Sequence, residues 1–164
     1  PNKVNKIAII TGHNSAALKD FEAPYRRDGG KASITPCFVP LQGKNSVQSI
    51  VETIQNLNQK RSFDAIVLAR GGGKASHIST FDDLDIAEAI CRSDIHITTA
   101  IGHQENRTIA DEFADENANT PSDASTILLK AQNQRAATNT ANWVIIGMAT
   151  IILLLIFLII YQNL

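Results

Sequence analysis

Asp64-Ala65-Ile66-Val67-Leu68-Ala69-Arg70-Gly71-Gly72-Gly73 decides the fold. A short run of small and apolar residues between an aspartate and an arginine reads as a strand buried on both faces, as in the parallel sheets of α/β proteins. Three consecutive glycines follow it. Glycine forfeits more backbone freedom on ordering than any other residue, so such a loop suits a place where main-chain N–H groups closely approach a guest, usually an anion. A second apolar run, Ile95 to Ile101, ends in Gly102-His103. Ligands of open parallel sheets bind beyond the carboxyl ends of the strands. The two run-ends therefore point to one site for a phosphate-bearing substrate.

Working outward, Lys6 to Thr11 reads as a first strand, and Ser15 as the N-cap of a helix reaching about Tyr25. Pro24 is expected to bend or end that helix, leaving Arg26 to Gly30 as a polar turn. Ser33 to Val39 reads as a strand that Pro36 assigns to an edge. Ser46 is expected to cap an amphipathic helix carrying Val47, Ile50, Val51, Ile54 and Leu57. Asp82 to Arg92 and Thr108 to Asp115 read as helices, and another begins at about Asp123 after the break at Thr120-Pro121-Ser122. This alternation predicts a small doubly wound α/β fold, with a parallel sheet of about four strands and helices on both faces.

The 164 residues allow one ordinary domain and an appendage. Residues 1–128 form the expected α/β domain and residues 129–142 a polar linker or helical stalk. Residues 143–161 read as a transmembrane tail anchor. From Trp143 to Tyr161 the chain carries 19 uncharged residues, about 28 Å as a helix, with an aromatic residue at each end. No apolar stretch resembling a signal peptide stands at the beginning, so the α/β domain is expected in the cytoplasm. There Cys37 and Cys91, which lack metal spacing, would stay reduced as small core residues. The formal net charge of −1 hides a division. Residues 1–81 hold 11 Lys and Arg against 5 Asp and Glu, whereas residues 82–123 hold 2 against 11. The first half can offer a polyanion a basic surface, but the chain is not a strongly basic nucleic-acid binder.

Asp20, Arg70 and His103 together suit phosphodiester cleavage. Arg70 would stabilise the charged transition state, His103 would move a proton near neutral pH, and Asp20 would orient the histidine or a water. Thr11, Ser15, Gly71, Gly72, Gly73, Gly102 and Asp111 are the candidates for holding phosphate or substrate. No HxH, CxxC or HExxH spacing occurs, so no metal and no other cofactor is expected.

At these residues the chain resembles the nuclease domain of the exonuclease VII large subunit, over roughly residues 6–126. The resemblance rests on Thr11 with Ser15 to Asp20, Arg26-Arg27-Asp28, Val39 to Gly43, and Arg70 to Gly73 with Phe81-Asp82-Asp83. Gly102-His103, Thr108-Ile109-Ala110-Asp111 and Thr120-Pro121-Ser122 continue it in the same order. It implies cleavage of single-stranded DNA without an obligatory divalent metal, and it assigns active roles to Asp20, Arg70 and His103. Departures accompany it. Ser76 and His77 stand where the family has an acidic pair, and Gln104 and Asn106 where it has Glu and Asp. The family's DNA-binding OB-fold and its small-subunit-gathering coiled coil have no counterpart in this sequence, which argues against a small-subunit partner.

Two functions follow from this reading. One is a membrane-tethered nuclease hydrolysing single-stranded DNA. The other is a catalytically silent sensor of a nucleotide or nucleic acid, whose transmembrane helix acts by oligomerising. The expected partners are single-stranded DNA or a nucleotide, the lipid bilayer and, for the sensor, further copies of the chain.

Overall fold

The computed structural model describes residues 4–71, 78–102, 107–132 and 148–149. It divides into two compact units, Pro1–Lys130 and Ala131–Leu164. In the first, β1 (Lys6–Thr11), α1 (Ala17–Arg27), β2 (Ser33–Phe38), α2 (Ser46–Lys60) and β3 (Ala65–Ala69) alternate. A 3-10 turn, Ser79–Asp82, precedes α3 (Leu84–Cys91), β4 (His96–Ala100), α4 (Ile109–Phe113) and β5 (Glu116–Asn117). Residues 121–132 are helical and are called α5 below. The sheet is parallel throughout, in the order β2-β1-β3-β4-β5.

Period-2 alternation along the central strands builds two cores. Ala8, Ile10, Ile66, Leu68 and Ile97 pack against Ile50, Ile54 and Leu57 of α2 and against Phe81, Ile86 and Ile90. Ile7, Ile9, Ala65, Val67, Ala69 and Ala100 pack on the opposite face against Phe21 and Tyr25 of α1 and Ala124 and Leu128 of α5. Each fully buried large apolar side chain contributes about 1.5–3 kcal/mol. The doubly wound α/β expectation holds, and Pro36 lies on the edge strand β2, opposite Ile9. The sheet has five strands rather than four. β5 is two polar residues long, and no apolar run announces it.

Other local expectations are corrected. Pro24 neither ends nor shortens α1, which continues to Arg27. A proline lacks the N–H that would bond the carbonyl four residues earlier, here Asp20. The Ser122 hydroxyl donates to that carbonyl at 3.2 Å, so the lost bond is replaced from α5. Arg26 and Arg27 complement the negative end of the helix dipole, and Gly29, at φ +93°, supplies the left-handed residue beyond it. Ser46 is the first residue of α2 rather than its cap, and its hydroxyl donates to the Gly43 carbonyl at 2.7 Å. Of the helix expected over Asp82 to Arg92, Asp82 ends the 3-10 turn, and Asp83 caps α3 by accepting from the Asp85 N–H at 2.9 Å. Cys91 is exposed at the end of α3 and not in the core. Cys37 is half-buried, and burial pushes its thiol pKa up against a weaker opposing pull from Lys60.

Among the described residues no helix is long and apolar enough to cross a membrane. Of the expected anchor, 143–161, all but residues 148 and 149 lies outside the described residues.

Candidate functional site

The strand order places a topological switch point between β1 and β3, where the connections leave in opposite directions and a crevice opens. An open cleft of about 540 Å³ lies there. Its walls are Gly12 to Ser15 after β1, Val39 to Gln42 after β2, and Arg70 and Gly71 after β3.

Backbone bonds fix these three exits. The Val39 N–H donates to the Thr11 carbonyl at 3.0 Å, and the Arg70 N–H to the Ala100 carbonyl at 3.0 Å. Ser15 joins two elements, its Oγ accepting from the Ala17 N–H at 3.1 Å and from the Gly71 N–H at 2.9 Å. Ala16 occupies the formal N-cap position of α1, yet Ser15 supplies the side-chain oxygen for its first turn. Gly71 must lack a side chain. A Cβ there would collide with Ser15 Oγ and sit 2.9 Å from the Ala16 nitrogen. The first glycine of the triplet thus serves close packing of the β3 exit on the start of α1.

The structure brings Ser15, Arg70 and Gly71 together and leaves other expected residues apart. Thr11 is wholly buried, and its hydroxyl has no hydrogen-bond partner among the described residues. Asp20 is exposed on the first turn of α1, its N–H bonded to the Ala16 carbonyl at 2.9 Å, and it does not line the cleft. Asp111 is 4% exposed and forms a capping box with Thr108. Its Oδ2 accepts from the Thr108 N–H at 2.9 Å and from the Thr108 hydroxyl at 2.8 Å, while Oδ1 has no partner among the described residues. Gly102 is half-buried beyond β4. His103, Gly72 and Gly73 lie outside the described residues, as do Ser76, His77, Gln104 and Asn106.

The aspartates of Phe81-Asp82-Asp83 act locally. Asp82 Oδ1 accepts from the Ile109 N–H at 3.0 Å, tying the 3-10 turn to the start of α4, while Phe81 is wholly buried. The contribution of His13 was not legible. Its ring stacks on Phe38, centroids 4.8 Å apart and planes at 22°, across the exits of β1 and β2. Only the parallel register that sets Thr11 against Phe38 makes this pair, and sequence spacing does not reveal it. Among the described residues no cluster of His, Cys, Asp and Glu could hold a metal ion.

Residues 1–147 match the family described as "Exonuclease VII, large subunit". The chain is 37% identical over 132 residues to the exodeoxyribonuclease 7 large subunit of Clostridium tetani, covering 79% of this chain and 33% of that protein. It is 36% identical over 138 residues to the corresponding subunit of Helicobacter pylori, covering 82% and 33%. The chain therefore spans about a third of the length of these relatives. Among solved structures, it resembles the receiver domain of the histidine kinase CKI1 from Arabidopsis thaliana, with 13% identity and a TM-score of 0.44, over 80% of this chain and 91% of that one.

Proposed function

This chain belongs to the exonuclease VII large-subunit family, and from that premise we propose that it hydrolyses phosphodiester bonds of single-stranded DNA in the cleft at the β1/β3 switch point. The observation that carries the reading is the placement of Arg70 in that cleft, beside the exits of β1 and β2. A phosphoryl group passing through its transition state gathers negative charge on its non-bridging oxygens. A guanidinium held at the crevice stabilises that charge. His103, the residue after Gly102, is assigned the proton transfer, whereas Asp20, exposed on α1 outside the cleft, is given no step in it. The cleavage is read as independent of a divalent metal.

The tether belongs to the same proposal. Trp143 to Tyr161 carries no charge and is long enough to span a hydrocarbon core as a helix. The α/β domain would then work at a bilayer surface on the cytoplasmic side.

The test uses the full chain in nanodiscs with labelled single- and double-stranded DNA, with and without chelator, beside His103→Ala. Cleavage of single strands that resists the chelator and is lost in the variant supports the proposal. Cleavage unchanged by His103→Ala removes the assigned chemistry. A folded protein that cuts nothing but assembles when given a nucleotide or DNA moves the function to the sensor. Flotation with liposomes checks the tether, because a protein washed off by carbonate is not membrane-spanning.

A further inference from the structure

The rings of His13 and Phe38 stack on one another at the carboxyl edge of the sheet, and both residues are exposed, Phe38 at 40%. Neither ring belongs to the two apolar cores. They border a second hollow of about 360 Å³, whose other wall is one face of α1 carrying Leu18, Lys19 and Glu22. His13 and Ser15 line this hollow and the Arg70 cleft alike, so the two adjoin.

We propose that the stacked His13–Phe38 pair is a platform for a nucleobase of the single strand whose backbone lies at Arg70. This rests on the nuclease reading and adds a base subsite to it. Three features of the hollow argue for a base. An exposed aromatic surface offers a π-face that any base can cover, and base–aromatic stacking is how proteins hold single strands without reading their sequence. Lys19 supplies a cation at the rim for an adjoining phosphate. Glu22 supplies an acceptor that an exocyclic amine can reach. A polynucleotide alternates anionic and flat aromatic units. The adjoining Arg70 cleft and His13–Phe38 hollow alternate in the same way.

The experiment measures binding of fluorescent oligodeoxyadenylate, whose bases carry exocyclic amines, to the full chain in nanodiscs, with His103→Ala in every arm to suppress turnover. The same strand is tested with a single abasic site moved along it. The parent is expected to lose affinity roughly five- to a hundredfold at one abasic position. Phe38→Ala is expected to lose the same factor on the intact strand and to become indifferent to the abasic site, while Phe38→Tyr behaves as the parent. His13→Gln, which leaves β2 untouched, provides a second test should Phe38→Ala fold poorly, and is expected to blunt the abasic effect. A parent that binds, with both variants as sensitive to the abasic site as the parent, overturns the platform and leaves the nuclease reading standing. A folded parent that binds no single strand overturns both.

Discussion

Polar side chains at the two edges of the sheet are used differently. At the amino edge they are spent on the backbone. Asp64 Oδ2 accepts from the N–H groups of Asn5 and Lys6 at 2.7 and 2.9 Å, closing β1 onto β3. Asn58 Oδ1 accepts from the Asp94 N–H at 2.8 Å, and Asp115 Oδ2 from the Ile97 N–H at 2.7 Å. At the carboxyl edge Ser15 and Asp82 likewise accept from backbone N–H groups, but Arg70, His13 and Phe38 also border the two hollows of the candidate site. Residue type does not separate a structural aspartate from a chemical one. What its oxygens touch does.

The largest effect that could break this contrast is at Arg70. Arg70→Ala is expected to lower cleavage of single-stranded DNA by roughly 10²–10³-fold, read as kcat/KM, with a smaller change in Tm than Asp64→Ala gives. Next comes Gly71→Ala. The added methyl meets Ser15 and the start of α1, and overpacking of this kind costs about 1–3 kcal/mol, measurable by urea unfolding. Because the collision lies beside the cleft, cleavage should fall as well. Asp64→Ala sharpens the contrast from the other side. Two backbone N–H groups lose their acceptor, at a cost of about 1–2 kcal/mol, while kcat/KM of the remaining folded protein stays unchanged. The smallest effect lies between the edges. The Thr98 hydroxyl is buried without a partner among the described residues, so Thr98→Val should raise stability by about 0.5–1 kcal/mol, seen as a higher Tm.

Much of the architecture was legible because buried parallel strands carry a local signal. Ala65 to Ala69 and Lys6 to Thr11 stand where their apolar runs place them. The edge position of β2 followed from Pro36, which cannot donate to a ladder. Pro24 misled because its missing bond is restored by a residue 98 positions later, and no local pattern contains Ser122. The convergence of Ser15, Arg70 and Gly71 on one edge was legible from the strand ends, but the expected use of Gly71 was not, because its N–H is taken by Ser15 Oγ. Asp111 stood in a motif suggestive of substrate, yet its carboxylate closes the box at the start of α4. The stacking of His13 on Phe38 depends on the register between two strands, and only three-dimensional pairing fixes that.

The most direct test of which edge carries the chemistry is where a single strand touches. Single-stranded DNA bearing 5-iodouracil would be photo-crosslinked to the full chain in nanodiscs and the joined peptides identified by mass spectrometry. The account predicts crosslinks on peptides holding His13, Phe38 and Arg70. Crosslinks confined to peptides around Asn58 and Asp115 would contradict it.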